Sequence, residues 1–159
     1  MSDVHAVARL CRTSVPDALA LLSQAPGLAQ WNLGLWRTRE VKLGLLSGES
    51  LFGGGSGLAR VQIDAARGLI DYAVGADEQS LVPRIQARVQ AGAELGHAPG
   101  TCVVTLLAWR TAGMDDSRWQ RLMAAHEVEI ELIRCQLESG ASEGTGEGGK
   151  GIGRGGGAA

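Results

Sequence analysis

From residue 33 to residue 110 the sequence alternates, and after residue 115 it turns helical. The alternating part divides into 33–42, 44–52, 57–64, 69–75, 82–91 and 101–110. Turn-rich stretches punctuate it: Gly53 to Gly57, Ala65 to Gly68, Ala76 to Ser80 and Gly92 to Gly100. Side chains on a strand point to opposite faces in turn, so such segments fold as strands with one buried face. In 82–91, Pro83, Ile85, Ala87, Val89 and Ala91 share the dry side, and Arg84, Gln86, Arg88 and Gln90 the wet side. Ala59, Val61 and Ile63 repeat the pattern, as do Ile70, Tyr72 and Val74. Sheets wet on one face are antiparallel, and connections this short make neighbouring strands pair as hairpins.

The helix follows over 115–138. At ~100° per residue, Trp119, Leu122, Met123, His126, Ile130, Ile133 and Leu137 fall on one face, which a surface helix buries. Ser117 to Gln120 has the S-x-x-Q form of a capping box, with Asp115 and Asp116 at the positive helix end. Ala125, Val128, Leu132 and Cys135 form a second, smaller apolar stripe opposite His126, flanked by Glu129, Glu131 and Gln136. An aligned apolar set suggests a contact, and a homodimer is the partner expected there.

Ahead of the alternating part, residues 4–13 read as a further strand. Ser14-Val15-Pro16-Asp17 then opens a short helix, with Ser14 capping and Ala18, Leu19, Leu21 and Leu22 as its buried face. A second short helix is expected over Leu28 to Asn32. Residues 139–159 are rich in glycine and poor in apolar surface, so a domain of residues 1–138 followed by a disordered tail is expected.

This order resembles the START-like (SRPBCC) superfamily, the helix-grip fold also seen in the birch pollen allergen and in polyketide cyclase/dehydrase-like proteins. The stretches that carry the resemblance are Ala25 to Asn32, Leu106 to Arg110, and Trp119 through Glu131 with His126-Glu127-Val128-Glu129-Ile130-Glu131 at its centre. The resemblance implies an α+β fold: a curved seven-stranded antiparallel sheet wrapped around the C-terminal helix, with two short helices after the first strand. It also implies a hydrophobic cavity between sheet and helix. The superfamily shares no catalytic motif, so no catalytic role carries over.

Composition excludes several classes of function. Charged residues make up 20% of the chain, mixed in sign, with a formal net charge of -2. Nucleic acid is therefore not an expected partner. Cys11, Cys102 and Cys135 are far apart and form no CxxC, which suits buried thiols in a reducing compartment. The opening residues hold no basic cluster followed by an apolar run, and Cys102 to Trp109 is too short to span a bilayer. A soluble, cytoplasmic protein is expected.

His126 is the leading candidate for chemistry. Among Trp119, Met123 and Ile130 it either bonds a backbone carbonyl in the core or lines the cavity as a neutral acid–base group. Tyr72 and Glu49 are the inward-facing polar candidates to assist it. A ligand site built from Trp31, Ile70, Tyr72, Ile85, Val89, Trp119, Met123, His126 and Ile130 is expected. Core packing is the default for Trp31, Trp36, Trp109 and Trp119, and Trp31 and Trp119 could instead stack on a ligand ring.

Other signals fail. Gly151 to Gly156 matches G-x-G-x-x-G, but lies in the tail with no strand before it and no helix after it. His126-Glu127 is not H-E-x-x-H, because position 130 is isoleucine, and His5, His97 and His126 are widely separated. Neither a metal nor a cofactor is expected. The expected function is binding of a small hydrophobic or aromatic molecule. The alternatives are a cyclase, dehydratase or hydrolase using His126, and an accessory protein that docks to a larger complex.

Overall fold

The alternation of polar and apolar residues folds as the sequence implies, into seven antiparallel strands in the order β1-β7-β6-β5-β4-β3-β2. In the computed structural model, which describes residues 2–143, the strands are β1 Val4–Cys11, β2 Trp36–Lys42, β3 Leu45–Glu49, β4 Ser56–Asp64, β5 Leu69–Gly75, β6 Val82–Ala91 and β7 Cys102–Trp109. Strands β2 to β7 form consecutive hairpins, and β7 turns back to pair with β1. The chain therefore crosses from one sheet edge to the other between β1 and β2. Helices α1 (Val15–Ser23) and α2 (Ala25–Leu28) make that crossing. The architecture is the α+β helix grip, with the long helix α3 (Asp116–Glu143) laid against the inner face of the sheet.

Ser14 caps α1, its hydroxyl accepting the Asp17 N–H, and Pro16 occupies the first turn. Helix α2 begins at Ala25, three residues earlier than expected, because Pro26 suits a first turn as well as it does a break. It packs tightly on α1: a Cβ on Gly27 would sit 2.3 Å from the Leu21 carbonyl oxygen. That close approach lets the Trp31 indole N–H donate to the same carbonyl, at 3.2 Å.

Registers across the hairpins place Leu46, Ala59, Ile70, Tyr72, Ala87, Val89, Val104 and Leu106 on the inner face, all of them buried. Ile130, Ile133 and Leu137 of α3 close onto this face together with Leu22 and Leu28. Cys11 and Cys102 lie opposite each other between β1 and β7 as buried free thiols. Burial pushes their pKa values up to about 12 and about 11, so they behave as apolar filling. Along the edge, Arg9 of β1 pairs with Glu131 of α3, which also holds Arg134.

Helix α3 departs from expectation at both ends. Its cap is Asp115, whose carboxylate accepts the Arg118 N–H at 2.8 Å and the Ser117 hydroxyl at 2.7 Å. Ser117 is therefore already inside the helix. A carboxylate two residues earlier outcompetes the hydroxyl because it is charged and faces the helix's positive end. At the other end the helix runs through Glu143, so residues 139–143 extend it rather than beginning a tail. The rest of the expected tail lies outside the described residues. No helix is long and apolar enough to cross a membrane among the described residues.

Candidate functional site

Helices α1 and α2 fill only one end of the concave sheet. Toward the N-terminal half of α3 they stop, and a cavity of about 720 Å³ remains. Its walls are β4, β5, β6 and the Trp31 to Leu35 segment, and its roof is α3 from Arg118 to Glu129. The β3–β4 connection, with Ser50, Phe52, Gly53 and Gly55, borders it on one side.

Of the residues expected to contact a ligand, Trp31, Tyr72, Ile85 and His126 line this cavity. Ile70, Val89, Trp119, Met123 and Ile130 do not; they lie in the packing behind it. Trp119 is fully buried against Ala108 and Met114, its indole N–H donating to the Ser2 carbonyl at 3.0 Å. Trp36 and Trp109, expected in the core, are each 37% exposed on the outer strands of the chain's two sheet edges or beside them.

His126 is 4% exposed, and its Nδ1 has no hydrogen-bond partner. The bonded core histidine considered from sequence is therefore not what the structure shows. Burial, followed by the nearby His5 and Arg84, pushes its pKa down to about 4. It is neutral near pH 7, with Nδ1 or Nε2 able to take a proton. The His5 ring lies 6.0 Å away, tilted by 45°, and its own Nε2 is also without a hydrogen bond.

The group beside His126 is Glu129, one helical turn on, with Oε2 4.0 Å from His126 Nε2. Sequence reading set Glu129 among the charges screening the outer stripe. The structure buries it to 5% exposure, and its carboxyl lines the cavity. At ~100° per residue it stands only about 60° from His126 on the helix, well within the inner face. It is held there because its Oε1 accepts the Leu33 N–H at 2.7 Å, with the Gly34 N–H also bonded to the carboxyl. Burial pushes its pKa up to about 7, against the pull of those two amides. The Leu33 carbonyl in turn accepts the Leu51 N–H, so Glu129 braces the loops at the cavity border.

Tyr72 and Glu49 do not assist His126. The buried Tyr72 hydroxyl donates to the Leu22 carbonyl at 2.5 Å, tying β5 to α1, and burial raises its pKa further. Its ring lines the cavity while its oxygen is committed elsewhere. Glu49 is exposed at the end of β3, one residue out of step with the inward Leu46 and Gly48. A one-residue offset places a side chain on the opposite face.

Arg84 was expected on the wet face of β6 but lines the cavity. Tyr72 pairs with Ile85 and Ala73 with Pro83, so Arg84 is the extra residue of a β-bulge. The bulge breaks the alternation there: consecutive Arg84 and Ile85 both line the cavity, whereas Val82 and Pro83 are exposed. Arg118 and Arg121, from the first turns of α3, line the same space.

The second stripe of α3 does not form one exposed face. Ala125 is buried and lines the cavity, and Leu132 packs against the core, leaving Val128 and Cys135 exposed. Among the described residues, no group of three or more His, Cys, Asp or Glu could hold a metal ion.

No family model matches this sequence, and no curated protein matches it. Solved structures do match. The Zhui aromatase/cyclase from Streptomyces sp. R1128 superposes with a TM-score of 0.65 at 14% identity, over 90% of this chain and 98% of that one. The fold is START-like. A START superfamily protein from Mycobacterium smegmatis superposes on the same START-like core with a TM-score of 0.59 at 11% identity, over 91% of this chain and 100% of that one. The Aha1 dimer from Colwellia psychrerythraea does so with a TM-score of 0.63 at 14% identity, over 93% and 100%. Identities this low carry the START-like fold and not an activity.

Proposed function

We propose that the protein binds a small, mainly apolar or aromatic molecule in the cavity under the N-terminal half of α3. The observation that carries this is the cavity itself, about 720 Å³, a size that suits a drug-sized ligand. Trp31, Leu35, Tyr72, Ile85 and Leu106 give it apolar walls, and a few polar groups converge on it from α3. Titration with the neutral solvatochromic dye Nile red tests the reading. Saturable binding is expected, and Ala125→Phe, which projects a ring into the cavity, should abolish it while the fold persists by circular dichroism. Dye binding that survives Ala125→Phe would count against the cavity as the site.

A second reading rests on one observation: His126 is buried, faces the cavity and leaves Nδ1 unpartnered. A neutral imidazole in that position can accept a proton from a bound molecule, and Glu129, close to half-protonated near pH 7, can return one. In this reading the protein is an enzyme of the proton-transfer kind, with Glu129 in the assisting role first assigned to Tyr72 or Glu49. His126→Asn should then remove turnover while leaving Nile red affinity unchanged. Turnover that persists in His126→Asn defeats the enzymatic reading and leaves the binding reading standing.

A further inference from the structure

The cavity is lined by more positive than negative groups: Arg84, Arg118 and Arg121 against the single carboxyl of Glu129 among the described residues. Arg84 Nη1 is out of contact with water and has no hydrogen-bond partner. Neither Arg84 nor Arg118 forms an ion pair with any described residue, yet both line one cavity and lie close enough to repel. Arg121 adds a third guanidinium, partly offset by Asp115 beside it and donating to the Ser117 hydroxyl at 3.3 Å. Glu129 is the one carboxylate among the described residues that lines the cavity, and it is turned to the Leu33 and Gly34 amides. Burying an unpaired guanidinium is costly, and so is leaving its N–H groups unsatisfied. A β-bulge nonetheless turns Arg84 inward where regular pairing would turn it out.

The geometry points to an oxyanion subsite: Arg84, with Arg118 across the cavity, receives the anionic head of an amphipathic ligand whose apolar body lies along Trp31, Leu35 and Tyr72. This deepens the binding reading above and rests on it. A guanidinium presents paired N–H donors that match a carboxylate or a phosphate monoester. Both oxyanions share the chemistry the site offers.

Three matched naphthalene probes test the assignment by fluorescence titration at low salt: 2-naphthylacetate, 2-naphthyl phosphate and the neutral 2-(2-naphthyl)ethanol. The wild-type protein should bind one or both anions about tenfold or more tighter than the alcohol, the gain expected of one good charge-assisted pair. The tighter of the two anions identifies the head group. Arg84→Met should erase the preference while leaving affinity for the alcohol within about twofold, because the methionine stem keeps the apolar contacts. Arg84→Lys should keep part of it, as charge without the fork. Without ligand, Arg84→Met should melt at the wild-type temperature or above, since it removes an unpaired buried charge; a structural role would lower the melt. Equal binding of anions and alcohol by wild type, or a preference that survives Arg84→Met, overturns the subsite while the cavity reading stands. Failure of all three probes to bind overturns both together.

Discussion

The two halves of α3 lie over the same sheet and do different work. From Ile130 to Leu137 its inner face is fully packed against Leu22, Leu28, Ile70 and Val104. From Arg118 to Glu129 the inner face roofs a cavity and presents two arginines, a histidine and a glutamate to it. The difference comes from α1 and α2, which plug one end of the concave sheet and stop short of the other. Where they fill the gap, apolar surface meets apolar surface. Where they do not, the helix spans empty space and can hold polar groups that a close-packed core would exclude. The packed end holds the fold, and the open end carries the candidate chemistry.

That contrast breaks most sharply under truncation. Ile133 is fully buried, and Ile133→Ala should cost about 3 kcal/mol through lost transfer energy and a new cavity. Leu122 lines the existing cavity and is half-buried, so Leu122→Ala should cost less than about 1 kcal/mol. Urea denaturation of the two variants measures both. Equal losses would mean that the two halves of α3 support the fold alike.

Titration sharpens the comparison, because His126 and Glu129, the two buried groups that titrate between about 4 and 7, both sit at the open end. His126 titrates at about 4 in the folded chain against an ordinary 6.5. The unfolded chain takes up that proton first as pH falls, so stability from the neutral imidazole is complete above 6.5 and is lost down to about 4. Glu129 titrates at about 7 against an ordinary 4.5. Here the unfolded chain releases its proton first, so stability falls as pH rises from 4.5 to about 7. Each effect amounts to about 3 kcal/mol, and between 4.5 and 6.5 they oppose each other. The wild-type urea midpoint should vary little there. Glu129→Gln, which keeps an oxygen for the Leu33 amide, should leave the histidine effect alone and make stability climb with pH from about 4 to 6.5. His126→Asn should give the opposite slope, falling from 4.5 to about 7. Superimposable profiles for wild type and Glu129→Gln would show that this carboxyl is not held protonated by burial.

How much of this was legible in the sequence follows the same division. Periodicity gave the strands and α3 because local side-chain pattern and buried face coincide in them, and short connections fixed the hairpin order. His126 was legible from helical angle alone. Glu129 was equally legible by angle, standing about 60° away, but its charge argued for solvent, and what pulls it inward is a pair of amides almost a hundred residues earlier. Arg84 was not legible. The alternation of 82–91 is unbroken in sequence, and the bulge exists only in the mismatch with β5. The Tyr72 hydroxyl finds a carbonyl fifty residues away that no local pattern encodes.

Two further substitutions separate scaffold from site among the residues grouped with His126. Tyr72→Phe removes the hydroxyl and leaves the Leu22 carbonyl unsatisfied in the core, which should cost about 1–2 kcal/mol in urea denaturation. Its ring remains in the cavity wall, so Nile red affinity should stay within about twofold if the contact is apolar. A large loss of affinity would return the hydroxyl to the site. Glu49 lies on the outer face at the end of a five-residue strand and touches nothing in the cavity. Surface substitutions away from specific contacts stay within about 0.5 kcal/mol, and Glu49→Gln should do so while leaving ligand affinity unchanged. Should Glu49→Gln weaken binding, the register of β3 would have to be shifted by one residue, which would turn Leu46 out of the core. The buried position of Leu46 against Ala59 argues against that shift, because an exposed leucine at that point would forfeit about 2 kcal/mol of burial.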